Sequence, residues 1–231
     1  MTAAKNHDWL GQAWNDYLDG FTSLLPLLLV LTALNAPAFY LVHHWHSYLP
    51  ALPYVILILA PLATGSNMVY LKLVRGEKPV LTTLFSAFPV YHRAVAVTLW
   101  LGFITACGTM LFILPGLIIY STYCLSEYLV VDRRCGIKEA FTLSAAITNG
   151  WRGLLGFLIV LTVMVDILAP NPVYITGKLS APVVTKDLSP WVITAFCLKV
   201  FVFLPWLRLA MARLYDQLSH RLRDQAPAAG L

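Results

Sequence analysis

Six apolar runs, each about as long as a membrane-spanning helix, set the strongest limit on what this chain can fold into. A helix needs about 20 mostly apolar residues to cross the hydrocarbon core of a bilayer. Such runs lie at roughly 21–42, 51–73, 94–114, 116–132, 151–169 and 190–211. Charged residues make up only 12% of the chain, about half their share in a typical soluble domain. The sequence therefore predicts an all-α, polytopic membrane protein with six transmembrane helices in a single integral membrane domain, residues 1–231.

The third and fourth runs are separated only by Leu114-Pro115-Gly116. A Pro-Gly pair is a strong turn signal. Without a turn the two runs would form a stretch of about 39 residues, which is too long for a single crossing. We therefore expect a turn at this point; the alternative is one long kinked helix.

The distribution of Lys and Arg predicts the orientation, because cytoplasmic segments carry an excess of these residues. With the N-terminus inside, the outer loops hold only Lys178 and Lys186, and Lys199 lies within the last run. The inner segments hold Lys5, Lys72, Arg75, Lys78, Arg93, Arg133, Arg134, Lys138, Arg152, Arg208, Arg213, Arg221 and Arg223. This bias predicts that both termini are cytoplasmic.

Three segments between the runs, residues 8–20, 80–92 and 137–149, are too polar to cross but place apolar side chains at helical spacing. This pattern is typical of amphipathic helices that lie at a membrane surface. Each segment precedes a pair of apolar runs. The sequence thus predicts three hairpins, each introduced by a cytoplasmic interfacial helix.

A thin internal repeat favours the same division. A shift of 58 residues aligns Tyr70-Leu71 with Tyr128-Leu129, and Ser86-Ala87 with Ser144-Ala145. The last run also ends in a tyrosine, Tyr215. Chance similarity between apolar segments is the alternative explanation.

The remaining segments carry weaker signals. The outer loop 170–189 contains three prolines, which predicts a short extended turn over the outer face. The tail 224–231 has the composition of a disordered end. The four cysteines form no CxxC pair, so we interpret them as packing residues rather than a disulfide framework.

A set of short motifs lies between Ala63 and Phe157. They are Arg75-Gly76-Glu77, Leu84-Phe85-Ser86-Ala87-Phe88, Leu114-Pro115-Gly116-Leu117, Val131-Asp132, Lys138-Glu139-Ala140-Phe141 and Gly150-Trp151, and Leu214-Tyr215-Asp216-Gln217-Leu218 closes the last run. In these motifs the chain resembles the YciC-like family of bacterial integral membrane proteins of unknown function. It is also similar to the related membrane domain of some glycerophosphodiester phosphodiesterases. The resemblance implies a multi-span fold and no particular reaction.

Polar side chains inside an apolar run are costly and therefore mark candidate sites. Asn35 could line a pathway, or it could hydrogen-bond a neighbouring helix or a carbonyl freed by a nearby proline. Glu127, one turn inside the fourth run, could be a proton or cation site. It could instead pair with a cation at the inner interface, namely Arg133, Arg134 or Lys72.

Asp166 and Lys199 lie in runs joined by a single outer loop. Their distances from the ends of these runs allow the two side chains to meet if the fifth and sixth helices are antiparallel neighbours. A structural ion pair that fixes this hairpin is one interpretation, and a substrate or ion site is another. In a third, Lys199 extends alone toward the outer interface.

His43 and His46 would share one face of a helix, which is the spacing of two zinc ligands. A stable zinc site needs further ligands. The neighbouring Trp45 and Tyr48 favour an aromatic belt at the membrane edge instead. We therefore predict no metal and keep the two histidines as weak candidates only.

No enzymatic motif and no cofactor site is recognisable in the sequence. The first functional hypothesis is a non-enzymatic protein of the bacterial inner membrane that binds anionic phospholipid and organises the membrane, possibly as a homo-oligomer or with a membrane-protein partner; no nucleic-acid partner is expected. The predicted lipid contacts at the inner leaflet are Lys72, Arg75, Lys78, Arg93, Arg133, Arg134, Lys138 and Arg152. The alternatives are a small transporter or channel lined by the polar intramembrane residues, and last an intramembrane lipid-modifying enzyme.

Overall fold

The chain is mostly helical in a computed structural model that describes residues 9–178 and 181–225. The α-helices are α1 (Trp9–Ala33), α2 (Ala36–Trp45), α3 (Ala51–Tyr54), α4 (Ala60–Val74), α5 (Tyr91–Leu111), α6 (Ile113–Tyr123), α7 (Ser126–Asp132), α8 (Ile137–Ile147), α9 (Arg152–Leu168), α10 (Pro190–Leu198) and α11 (Leu204–Gln225). Short π-helical segments join α3 to α4 (Val55–Leu59) and α10 to α11 (Lys199–Phe203). A 3-10 helix (Leu81–Val90) precedes α5.

Five helical stretches of the described residues are long and apolar enough to cross a membrane. They are Trp9–Trp45, Ala51–Val74, Leu81–Leu111, Ile113–Asp132 and Pro190–His220. The fifth predicted run differs, because α9 has 17 residues and is about 25 Å long, somewhat less than the roughly 30 Å of a bilayer core. Together with α8, from which it is bent by 106°, it would make a sixth span.

The segment 8–20 is not a separate interfacial helix, so that prediction is wrong for residues 9–20; residue 8 lies outside the described part. These residues form the first half of α1, which runs unbroken to Ala33. Their apolar stripe packs on α11, with Ala13 and Tyr17 buried. A polar residue of this segment also contacts α11, because Asp16 accepts two hydrogen bonds of 2.7 Å from Arg213.

The segment 80–92 is a short amphipathic helix, although of the 3-10 type. Its buried side, including Leu84 and Ala87, packs on α4, while Phe85 and Phe88 are exposed. Gly65 on α4 permits this contact, because a Cβ atom there would collide with the backbone carbonyl of Leu84. The close approach therefore depends on a residue without a side chain.

The turn between the third and fourth runs lies at Phe112, three to four residues before the predicted Pro115-Gly116. Phe112 is extended, with φ −162° and ψ 156°. Pro115 instead lies in the first turn of α6. A backbone N–H in the first turn has no helical acceptor, so the N–H that proline lacks is not missed there. Gly116 permits tight packing of α6 on α5, because a Cβ atom there would lie 2.9 Å from the backbone nitrogen of Thr109.

Helix α8 covers a break in the fourth run. That run is divided between α6 and α7, which leaves the carbonyl of Thr122 near the break. The hydroxyls of Ser144 and Thr148 donate to this carbonyl at 2.9 and 3.1 Å. The face of α8 predicted to lie on the membrane therefore packs on protein, with Ala140, Ser144 and Thr148 buried.

The outer loop 170–189 contains a β-hairpin, so the all-α prediction is wrong here. Strand β1 (Val173–Lys178) pairs antiparallel with β2 (Ala181–Lys186), with Ile175 opposite Val184 and Thr176 opposite Val183. Both strands are rich in β-branched residues, which favour extended backbone. The tail prediction fails at residues 224–225, which end α11, and 226–231 lie outside the described residues.

Each π-helical segment ends two residues before a proline. Each of these prolines leaves a carbonyl without its helical donor, and a tyrosine from another helix donates to that carbonyl. In an α-helix a proline removes the donor for the carbonyl four residues earlier. For Pro61 that carbonyl belongs to Leu57, which accepts from the hydroxyl of Tyr91 at 2.9 Å. For Pro205 it belongs to Phe201, which accepts from Tyr17 at 2.7 Å.

The Tyr17 hydroxyl should therefore contribute measurably to stability. Replacing Tyr17 by Phe leaves the Phe201 carbonyl without a donor, and we expect the free energy of unfolding to fall by about 1–3 kcal/mol. Tyr123→Phe is the matched control, since its ring packs on Phe141 but its hydroxyl makes no hydrogen bond within the described residues. Thermal unfolding in detergent micelles measures both. Equal stability of Tyr17→Phe and wild type would contradict this account.

Candidate functional site

A cavity of about 950 Å³ lies inside the helical bundle, and we call it the central cavity. Residues of the β-hairpin, among them Val184 and Lys186, line one end. At the other end it reaches Arg208. The lining residues of the last helical stretch run from Phe196 to Arg208, which are 12 residues or about 18 Å apart along it. The central cavity thus connects the β-hairpin with the first turns of α11.

The wall of the central cavity is mostly apolar, with a few polar groups at separate levels. Leu28, Leu31, Phe39 and Phe196 supply apolar surface. Asn35 faces the cavity at the break between α1 and α2, where its Nδ2 donates to the carbonyl of Leu31 at 2.8 Å. The two alternatives for Asn35 are therefore compatible, since it satisfies a backbone carbonyl and also lines the central cavity.

The floor of the central cavity is formed by Tyr70, Tyr120, Glu127 and Arg208. These residues come from α4, α6, α7 and α11. Glu127 does not pair with Arg133, Arg134 or Lys72, so the predicted interfacial ion pair is wrong. The physical reason is its position on the side of α7 that faces α4 and α5, away from the inner interface.

Both carboxylate oxygens of Glu127 accept hydrogen bonds from neutral side chains. Thr98 donates to Oε1 at 3.1 Å, and Asn67 donates to Oε2 at 3.3 Å. Thr98 in turn contacts the hydroxyl of Thr64 at 3.1 Å. Asn67 and Thr64 are buried, so this network holds the carboxylate in place inside the bundle.

The sequence-based reasoning missed Arg208 as a site residue, because it was counted among the inner cations. The structure places it on the cavity wall, within electrostatic range of Tyr70, Tyr120, Tyr128 and Glu127. A signal was present, because apolar residues flank Arg208 on both sides, as they flank Lys199. Arg208 lies inside the predicted run 190–211, but only three residues from its end, which favours the interpretation as an interfacial cation.

Lys199 and Asp166 meet near the hairpin end of the central cavity. The Nζ atom of Lys199 lies 3.1 Å from Asp166 Oδ1, 2.9 Å from the carbonyl of Ala169 and 2.6 Å from Asn171 Oδ1. These three acceptors match the three donors of an ammonium group. Lys199 is only 2% exposed. It therefore caps the C-terminal end of α9 rather than extending toward water.

The two candidate histidines lie near the hairpin end. The rings of His43 and His46 are 6.3 Å apart, and His43 lines the central cavity. Within the described residues, no group of three or more metal-ligating side chains occurs. The structure therefore adds no third ligand to the weak candidate pair.

Below the floor, Arg75 joins the ends of α4 and α7 to the middle of α11 in what we call the base cluster: Arg75, Asp132, Tyr215 and Asp216. The guanidinium donates to Asp132 at 2.7 and 3.1 Å and to Asp216 at 2.9 Å. Tyr215 also donates to Asp132, at 2.9 Å. The hydrogen bonds that Arg75 donates to Asp132, above all, hold the pKa of Arg75 above its usual value. Arg75 is thus engaged within the protein, and we remove it from the predicted lipid contacts.

The base cluster lies about 8–12 Å beneath the cavity floor. Tyr70 precedes Arg75 by five residues, Glu127 precedes Asp132 by five, and Arg208 precedes Asp216 by eight, each along a helix with a rise of about 1.5 Å per residue. The two layers are linked by Tyr128, whose ring stacks on Tyr215 with centroids 5.1 Å apart. The tyrosines of the internal repeat therefore lie together in the core.

The other predicted lipid contacts divide into two groups. Three are engaged: Lys72 lies 3.9 Å from Glu77, Arg93 donates to the carbonyl of Arg134, and Arg133 donates to the carbonyl of Ser219. Four have exposed side chains and no ion pair among the described residues. These are Lys78, Arg134, Lys138 and Arg152.

Comparisons with family models, curated proteins and solved structures found no match to this chain.

A double-mutant cycle tests the Lys199–Asp166 contact. Asp166→Asn leaves the buried ammonium group of Lys199 with only neutral acceptors. Lys199→Met removes the ammonium group that caps α9. Each change should therefore lower stability. The double variant should be more stable than the sum of the two losses predicts, by about 0.5–3 kcal/mol. Lys186→Met is the control, because this exposed cavity lysine makes no ion pair in the described part of the chain. Strictly additive losses would show that the ion pair contributes nothing.

Proposed function

We propose that this protein is a small membrane transporter that takes a solute into the central cavity from the hairpin side. The observation that carries the proposal is the cavity itself, which is lined by hairpin residues at one end and by Glu127 and Arg208 at the other. The base cluster lies beneath it and ties α4, α7 and α11 together. This arrangement is that of a binding site accessible from one side and closed on the other.

The cost of intramembrane charge supports a functional rather than a purely structural cavity. A charged side chain within a bilayer is rare and marks a substrate or ion pathway in most proteins that keep one. The helices around the cavity are also interrupted, at Asn35, at Val55–Leu59 and at Lys199–Phe203. Transporters commonly bind substrate beside such interruptions.

We place the protein in a bacterial inner membrane as six spans in three hairpins, with both termini cytoplasmic. The distribution of Lys and Arg supports this orientation. It puts the β-hairpin and the open end of the central cavity on the periplasmic side, and the base cluster on the cytoplasmic side. The resemblance to the YciC-like family supports a multi-span fold and does not bear on the solute.

Binding of anionic phospholipid is a second candidate function. The exposed cations Lys78, Arg134, Lys138 and Arg152 favour it, because they lie near the ends of helices on the side of the base cluster. Basic groups at this level attract anionic lipid by about 1 kcal/mol each. Such contacts, and any homo-oligomer or membrane-protein partner, are compatible with a transporter and do not require an enzymatic reaction.

Labelling of a cavity cysteine tests the transporter proposal. Ser66 lines the central cavity, so in a Cys107→Ala/Cys197→Ala background we expect Ser66→Cys to react with a membrane-impermeant maleimide applied from outside. The two remaining cysteines, Cys124 and Cys135, are buried.

Ser121→Cys is the matched control, because Ser121 is buried and does not line the cavity. We expect it to stay unlabelled until the protein is denatured. The proposal fails if Ser66→Cys is labelled no faster than Ser121→Cys, since a pathway closed to water cannot admit a polar solute.

A further inference from the structure

The floor of the central cavity presents hydrogen-bond donors that have no partner. Arg208 makes no hydrogen bond or ion pair with any side chain that the structure describes, although its side chain is exposed on the cavity wall. The hydroxyls of Tyr70 and Tyr120, which line the same floor, are also unpaired within the described residues. The nearby Tyr128 hydroxyl is buried and has no acceptor in the part of the chain that the structure describes.

Among the described residues, Glu127 is the carboxylate that acts on Arg208 electrostatically, but the two side chains form no ion pair. Its two oxygens are held by Thr98 and Asn67 on the side of α4 and α5. The cavity as a whole has an excess of positive charge among its described lining residues. Lys199 is balanced by Asp166, which leaves Arg208 and Lys186 against Glu127.

A guanidinium offers several N–H donors in one plane and no acceptor, and it matches the two oxygens of a carboxylate or phosphate. Phenol hydroxyls beside it can donate to the same oxygens. The complementary group is therefore a compact oxyanion, and a single negative charge would balance the excess in the cavity. An ammonium or a neutral sugar would leave Arg208 uncompensated.

The apolar wall between this floor and the β-hairpin restricts the rest of the ligand. Leu28, Leu31, Phe39 and Phe196 lie along it and offer few hydrogen bonds. The geometry points to an oxyanion carried on an apolar chain, with its head group at Arg208 between Tyr70 and Tyr120 and its chain directed toward the hairpin. This inference rests on the proposed transport function and names the chemical class of the solute.

Calorimetry on the purified full-length protein in a non-ionic detergent tests the inference with octanoate and octyl phosphate as probes. Both should bind wild type, and Arg208→Gln should weaken binding about ten- to hundredfold, because a charge-assisted bidentate contact is lost. Arg152→Gln removes the same charge from an exposed site outside the cavity and should bind as wild type does. Octylammonium, with the opposite charge, should not bind.

If Arg208→Gln does not fold, the double variant Tyr70→Phe/Tyr120→Phe takes its place. It keeps the shape of both rings, and we expect a weakening of about two- to tenfold from loss of the hydroxyl donors. Failure of octanoate to bind wild type, or equal binding by wild type and the substituted floor, overturns the inference. So does binding of octylammonium as tight as that of octanoate.

Inorganic phosphate distinguishes an amphipathic ligand from a free oxyanion. If it binds wild type as tightly as octyl phosphate does, the apolar-chain part of the inference is overturned and the site takes a free anion. The labelling of Ser66→Cys needs no ligand. A labelled cavity that binds no octanoate would therefore refute the ligand class while the proposed function stands.

Discussion

Every polar group that apolar helices carry into a membrane needs a partner, and the architecture of this protein follows from how those partners are supplied. The carbonyl of Phe201 lacks its helical donor because of Pro205, and the hydroxyl of Tyr17 donates to it instead. Ser144 and Thr148 supply another at the break before α7. Each of these bonds joins two different helical segments of the chain. The interruptions in the spans therefore hold the bundle together as well as weakening individual helices.

The charged groups show the same rule and one exception to it. Lys199 has three acceptors, and Arg75 joins two carboxylates at the base of the bundle. Arg208 has none among the described residues, yet it lies on the wall of the central cavity. In a molecule that satisfies its other intramembrane cations, an unsatisfied guanidinium open to a cavity is the feature that most clearly indicates a ligand.

Local patterns in the sequence predicted the helical class, the positions of the apolar stretches and the meeting of Asp166 with Lys199, because hydrophobic length and a short connection determine these features. They could not show that residues 9–20 continue into the first span, since an amphipathic stripe fits a neighbouring helix as well as a membrane surface. The β-hairpin was missed because its prolines obscured two short β-branched strands. Arg208 was misassigned because its role depends on four helices that converge only in the folded bundle.

The most direct test of the account is whether position 208 faces water inside the protein or lipid outside it. A spin label at Arg208→Cys, in a background without reactive cysteines, can be measured by power saturation with a water-soluble nickel complex and with oxygen. The account predicts that nickel relaxes this label more strongly than oxygen does, and that the reverse holds for a label at Phe103→Cys, which is 59% exposed on α5. Stronger relaxation by oxygen at position 208 would place Arg208 toward lipid and contradict the cavity, the pathway and the anion site together.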